Sequence, residues 1–461
     1  MSSTIKHSSS YRDPSGFLFY KDDVLYRQVN TVFKDDFDQF ISSGLYQHLV
    51  DKNVLIPHKK IDENLTGSAD WHQTILPEKI PFISYPYEWC FDMLKDAALV
   101  TLHAAQEAMN YGMILKDASA YNVQWHKGKM IFIDTLSFEK WDSTKPWIAY
   151  RQFCEHFLAP LALMHYLKLP LQNLFLAYPD GIPLALTKKL LPAKSKFNLN
   201  TYLHLHLHAN ISGNSKPKAP NQKLQTPKPF SSTKFKNLLQ SLEEMVQSFS
   251  LNNPSGVWSG YYNEAFQRED YVAQKKQIVE DWIGRTDAGS AIDIGANEGE
   301  FSELLSAKNI STISADFDHY SVNRLYNIAR KNNNSSTLPL VIDFANPSPA
   351  IGVNNEERSA FLQRPKTDLV LALAVIHHLA IGKNIPFENI AEMFKGLGNW
   401  LIIEFVPKED EKIQLMLQQK KDVYYDYNEE NFINSFKSSY SVIKKSVIGN
   451  SGRSLFLMKK L

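Results

Sequence analysis

The chain has 461 residues, 44% of them hydrophobic, and 50 lysines and arginines against 49 acidic residues give it a net charge of +1 at pH 7. That length makes two domains the expectation, and the near-neutral balance gives no strong electrostatic signal for a nucleic-acid partner. No apolar run reaches the ~18–20 residues of a membrane span. The N-terminal MSSTIKHSSS is polar and has no apolar signal core, so the chain reads as a cytoplasmic protein. Cys90 and Cys154 lie among apolar or aromatic residues. They are too few for a disulfide framework or a cysteine metal site, and both read as packing residues.

In chain order, GFLFYKDDVLYRQV and KIPFISYPYEWCF resemble the N-terminal hairpin and the inter-lobe strand and hinge of kinases, and DAALVTLHAAQEAMNYGMI reads as a helix. The helix feeds the loop LKDASAYNVQWHKGKMIFIDTLSFE, where Asp117 and Asn122 have D-x-x-x-x-N spacing and Asp134 follows. The region resembles aminoglycoside- and lipopolysaccharide-type kinases more than protein kinases. That resemblance implies Asp117 accepting a hydroxyl proton while Asn122 and Asp134 hold magnesium and the phosphates of ATP. The sequence departs from it in three ways. Lys116 precedes the aspartate, the glycine-rich loop is not recognisable, and no strand lysine is evident, with Arg27 the candidate in its place. Three readings stay open: turn formers in an unrelated fold, a kinase-like fold that docks or presents substrate, and an active kinase.

YLHLHLHAN follows, with His204, His206 and His208 alternating with leucine. On a strand they would share one face, but no glutamate or cysteine stands nearby to complete a metal site. A packed segment with partly exposed histidines is the reading, and no metal is assigned. From Ala209 to Thr233 the chain is rich in proline, serine and lysine and holds no acidic residue. It reads as a linker, or as a basic tether for an acidic partner. The expected domains are therefore 1–208, kinase-like and α+β, a linker over 209–233, and 234–461.

After the linker, VWSGYYNEAF and YVAQKKQIVEDWI read as a helical entry. AIDIG, STISADFD, LPLVIDFANP, DLVLALAVIHHL and WLIIEFVP are then nearly continuous apolar strands separated by helical patterns. Continuous apolar strands imply a parallel sheet covered on both faces. YSVIKKSVIG and RSLFLMKK, joined by NSG, predict an antiparallel hairpin at the end. Ligands of such sheets bind at the carboxyl ends of the strands, beside the first one. There Gly295-Ala296-Asn297-Glu298-Gly299 lacks the G-x-G-x-x-G spacing of dinucleotide sites, and Glu298 and Glu300 disfavour a pyrophosphate. An uncharged or cationic ligand fits better.

Asp293-Ile-Gly295-Ala-Asn297-Glu-Gly299 resembles motif I of class I S-adenosylmethionine-dependent methyltransferases. Asp316 matches that family's ribose carboxylate, Asp343 its adenine acceptor, and LALAVIHHL its motif IV, with Ala374 at the cofactor. The second domain also resembles a bacterial subgroup of nodulation-protein-type methyltransferases. The resemblance implies a Rossmann-like seven-stranded sheet with a final antiparallel hairpin and S-adenosylmethionine as cofactor. Asp293 would orient the glycine turn and the ligand's amino group, or serve as a cap; Asp318 would share the ribose or cap the next helix. Trp258, Tyr261 and Tyr262 are candidates to cover a sulfonium, since aromatic faces attract cations.

The acceptor is less legible. The Pro-Pro-Tyr type motif of base-amine methyltransferases is missing after the fourth strand, and no catalytic cysteine lies in the later strands. A small-molecule or glycan-type hydroxyl is the expected acceptor. His377 and His378 are candidate general bases, and Glu404 is a candidate substrate contact or structural hydrogen-bond partner. The leading expectation is a methyltransferase whose N-terminal domain aids substrate recognition. The alternatives are an ATP-dependent phosphotransferase using the second fold as a binding module, and a scaffold binding both nucleotides. Nothing in the sequence sets the oligomeric state.

Overall fold

The computed structural model describes residues 4–213, 231–252, 269–418 and 420–461. It divides into two units, Met1–Asn252 with Ile351–Arg358, and Asn253–Ala350 with Ser359–Leu461. Trp258, Tyr261, Tyr262 and most of the expected linker lie outside the described residues.

The first unit opens with strands β1 (Ile5–Lys6), β2 (Gly16–Lys21), β3 (Val24–Asn30), β4 (His58–Ile61) and β5 (Trp71–Pro77). They form an antiparallel sheet in the order β1-β2-β3-β5-β4, with Val29 and Ile75 packed on Phe33, Phe37 and Leu136. KIPFISYPYEWCF, expected to hold a strand, forms none: β5 ends at Pro77, and only the 3-10 turn Pro86–Glu88 precedes the helix Phe91–Asn110, whose buried stripe includes Leu94, Ala98, Leu102 and Ala105. That i, i+4, i+8, i+11 spacing is what one buried helical face requires. Four short strands follow: β6 (Met113–Leu115), β7 (Val123–His126), β8 (Lys129–Phe132) and β9 (Phe138–Lys140). β6 pairs with β9 and β7 with β8, so both ends of the acidic loop are pinned.

The histidine triplet is helical, not a strand: Tyr202–Leu207 forms a π-helical stretch continued by His208–Gly213. His204 bonds the Tyr150 hydroxyl at 2.7 Å and Ser241 Oγ at 2.9 Å, and His206 bonds Ser195 Oγ at 2.8 Å. The helix Ser232–Ser248, expected in the second domain, belongs to the first unit and packs on Phe91–Asn110. Its buried Phe235, Leu239, Leu242 and Val246 form an apolar stripe, and that stripe decides where the helix goes. Cys90 and Cys154 are buried and free.

The second unit enters through the helix Glu269–Ile283. Its strands are β10 (Ser290–Ile294), β11 (Ser311–Asp316), β12 (Thr337–Val341), β13 (Thr367–Ala372), β14 (Gly398–Phe405), β15 (Tyr440–Val447) and β16 (Ser454–Lys460). The sheet order is β12-β11-β10-β13-β14-β16-β15. β12 through β14 are parallel, while β16 runs antiparallel to both its neighbours. This is the seven-stranded sheet with the terminal hairpin expected from the sequence. Ala291, Ile292, Leu369, Leu371 and Ile402 are wholly buried, as central strands covered on both faces must be. The order reverses between β10 and β13, which opens a crevice at their carboxyl ends.

Candidate functional site

The turn after β10 is built by glycine stereochemistry. Gly295 has φ +72°, and a Cβ there would meet Val375 Cγ2 at 2.5 Å; Gly299 has φ +87°, and a Cβ would meet Leu325 at 2.4 Å. Side chains rarely adopt such φ, and a Cβ at either position would force its neighbour to move. The Gly295 and Ala296 N–H groups both donate to the Ala315 carbonyl, at 2.8 and 3.1 Å, fixing the turn on β11. Asn297 and Ala374, neither of them glycine, also take positive φ at the mouth of the crevice.

The crevice is a cavity of about 780 Å³. Asp293, Gly295, Asn297, Asp316, Asp343, Ala374 and His378 all border it, so the structure brings together the residues singled out from the strand ends. Asp316 closes β11. It accepts the Asn297 N–H at 2.9 Å and the Asp318 N–H at 2.8 Å, which leaves capacity on both oxygens. Burial raises its carboxyl above the usual range. Asp318 accepts the Tyr320 N–H and caps the helix His319–Lys331, while also bordering the cavity.

Asp293 sits deeper. Ser314 Oγ donates to Ser302 Oγ at 2.7 Å, and Ser302 Oγ donates to Asp293 at 2.6 Å, so the aspartate anchors the first residue of the helix Ser302–Ser306. Burial pushes its carboxyl up to about 7, with the charge of Asp316 adding and the Ser302 bond opposing. Asp343 accepts the Ala345 N–H at 2.9 Å and lies 3.8 Å from Lys383 Nζ.

The two histidines separate. His378 borders the cavity and burial lowers its imidazole pKa. His377 is 1% exposed, does not border the cavity, and packs tilted against His378 with ring centroids 4.2 Å apart. Burial drives its pKa well down. Glu404 is wholly buried at the end of β14 and does not line the cavity either. It accepts Tyr271 Oη–H at 2.5 Å and pairs with Lys275 Nζ at 2.6 Å and Arg453 at 3.3 Å. Burial raises its carboxyl, but Lys275 and Arg453 outweigh that and hold it below the usual range.

Tyr271, Lys275 and Arg453 form the cavity wall that sequence reasoning missed. One signal was available. Tyr271, Lys275 and Val279 are spaced i, i+4, i+8, which puts a lysine in an apolar stripe. Arg453 follows the hairpin turn and carries no such signal; it is held by Asp410 at 2.8 and 3.1 Å.

In the first unit, Asp117 follows β6, Asn122 precedes β7 and Asp134 follows β8. Burial, then the charge of Asp134, raises the Asp117 carboxyl. Asp134 is nearly buried and accepts Arg27, the Leu136 N–H at 3.1 Å and Ser137 Oγ–H at 2.5 Å. Burial opposes its ionisation, but Arg27 prevails and lowers its pKa. Arg27 is on β3, so a strand cation does reach the acidic loop. Lys116 instead turns to Ser15 Oγ at 2.7 Å and Asp13 at 3.4 Å.

No protein-family model matches the chain. It is 30% identical to the nodulation protein NoeA of Rhizobium meliloti (strain 1021) over 464 residues, covering 98% of this chain and 96% of that protein. Among solved structures, it is similar to the magnesium protoporphyrin IX methyltransferase ChlM from Synechocystis PCC 6803 with bound SAH. That match has 15% identity, a TM-score of 0.31, and covers 50% of this chain and 96% of that one. A match to the bifunctional kinase-methyltransferase WbdD has 17% identity and a TM-score of 0.30, and covers 42% of this chain and 39% of that one. The chain thus spans under half of WbdD.

Proposed function

The chain belongs to the family of the nodulation protein NoeA, and we propose that its second unit is an S-adenosylmethionine-dependent methyltransferase. The observation that carries this reading is Asp316, a buried carboxylate with spare acceptor capacity at the rim of a cavity floored by the Gly295 turn. Paired ribose hydroxyls suit such a carboxylate, because each oxygen can accept a further hydrogen bond. Asp343 would take the adenine amino group and Asp293 the ligand's ammonium. An acidic surround also suits a sulfonium cation.

The acceptor we favour is a hydroxyl on a small molecule or glycan. Its oxygen attacks the methyl carbon, the carbon–sulfur bond breaks with its electron pair going to sulfur, and the hydroxyl proton passes to a base. His378 fits that role, since burial keeps its ring neutral and it stands on the cavity wall. His377 would hold the ring from behind. The first unit, in this reading, is a kinase-like fold that aids substrate recognition. A second reading, phosphoryl transfer in that unit, draws support from Asp117 beside Asp134. ATP turnover abolished by Asp117→Asn, with S-adenosylmethionine affinity intact, would favour it.

Calorimetric titration with S-adenosylmethionine tests the leading reading. One-to-one binding is expected, and Asp316→Ala should weaken it about a hundredfold, the loss of two hydrogen bonds to a charged acceptor. Unaltered affinity in a folded Asp316→Ala chain would sink the assignment.

A further inference from the structure

Between Asp180 and Glu243 the sequence carries ten lysines and neither an acidic residue nor an arginine, in a chain whose net charge is only +1. Within this run the first unit exposes apolar side chains that nothing among the described residues covers. Phe197 is 91% exposed and Leu199 68%, with Leu190, Tyr202 and Leu203 also exposed. Lysines border them. Lys188 and Lys189 end the helix Leu184–Leu190, and Lys194 and Lys196 lie in the turn Ala193–Phe197. Two observations bring these elements together. Ser195 bonds His206, four residues beyond Tyr202, and His206 is held low by burial and then by both Lys196 and Lys188.

We propose that this patch docks the protein on an anionic lipid bilayer, with the lysines over the headgroups and Phe197 and Leu199 in the headgroup–acyl boundary. An exposed phenyl and exposed leucines beside lysines are what interfacial binding uses, the apolar groups entering and the ammonium groups staying at the anionic surface. A lysine stem can lie along the apolar zone while its charge remains in water. A nucleic acid fits less well. The run has no arginine, the residue suited to bidentate phosphate and base contacts, and exposed leucines gain nothing on a phosphate backbone. Docking of this kind needs no membrane-spanning helix, and among the described residues no helix is long and apolar enough to span.

The test is co-sedimentation of the full chain with phosphatidylcholine vesicles, with and without phosphatidylserine. Binding should need phosphatidylserine and be released by high salt. Phe197→Ser should cut the partition coefficient about tenfold or more, the loss of one buried phenyl. Lys194→Gln with Lys196→Gln should cut it about 25-fold, roughly fivefold for each basic residue lost near the surface. These side chains are exposed, so melting temperatures should be unchanged. Three results would overturn the proposal. The first is equal binding to both vesicles or to neither. The second is phosphatidylserine binding that Phe197→Ser leaves intact, which would assign it to the lysine-rich tether alone. The third is tight binding to duplex DNA or single-stranded RNA without vesicle binding.

Discussion

Asp134 in the first unit and Asp316 in the second both stand at the carboxyl end of a strand, both nearly buried, yet their surroundings push them in opposite directions. Asp134 has a guanidinium, a hydroxyl and a backbone N–H on its two oxygens and is held ionised. Asp316 has two backbone N–H groups, no basic side chain among the described residues pairs with it, and its carboxyl is raised. A buried charge that its own fold neutralises is a structural element. One left short of partners at the wall of a cavity is costly to the free protein and is repaid by a ligand, which is why perturbed groups mark functional sites. Asp117 is the first-unit group that resembles Asp316, because burial raises it too.

The largest effect should come from breaking the neutralised side of this comparison. Arg27→Met removes the cation from a pair in which each side chain is little more than a tenth exposed. The chain should lose about 3 kcal/mol of stability in urea unfolding, because Asp134 is left charged and buried. Arg27→Met with Asp134→Asn should recover most of the loss. If Arg27→Met unfolds at the wild-type midpoint, Asp134 is not a satisfied structural charge and is available to a ligand.

A smaller effect sharpens the other side. Gly295→Ala forces a side chain into left-handed backbone, ~1–2 kcal/mol, and against Val375. S-adenosylmethionine affinity should fall about tenfold. Adding Val375→Ala should restore part of it, because the clash is relieved while the backbone cost remains. A Gly295→Ala chain that binds normally would show that the turn does not shape the ligand's seat.

The legible and illegible parts of the molecule divide along the same physical line. The strands of the second unit could be read because burial on both faces leaves a continuous apolar run, and the cavity carboxylates because they fall at strand ends. The Lys275–Glu404–Arg453 cluster could not. Its members come from distant segments, and each can be buried only because the others neutralise it, which no local pattern records. The histidine triplet misleads by alternation, since a π-helical stretch brings its members into contact with Tyr150, Ser195 and Ser241 instead of onto one strand face. For Ser232–Ser248 the apolar stripe was visible but not the core that receives it.

The most specific effect concerns Asp293. Its folded carboxyl titrates at about 7, above the ordinary aspartate range, because it is buried. A raised folded value means the native state keeps a proton that the unfolded chain has already released. Stability therefore falls as pH rises from about 4 to 7 and stays at its lower level above that. Asp293→Asn has no proton to lose and can still accept from Ser302, so its advantage over wild type should grow across that window by up to about 1.4 kcal/mol per pH unit and then level off. Binding should run the other way. If Asp293 receives the ammonium of S-adenosylmethionine, wild-type affinity must weaken by up to about tenfold per unit as pH drops below 7, because the proton has to leave before the cation enters. The Asn variant should bind more weakly than wild type at pH 8 but with no such slope. A slope that survives Asp293→Asn would move the ammonium to another carboxylate, while a stability difference independent of pH would mean that Asp293 is ionised in the fold and already paired.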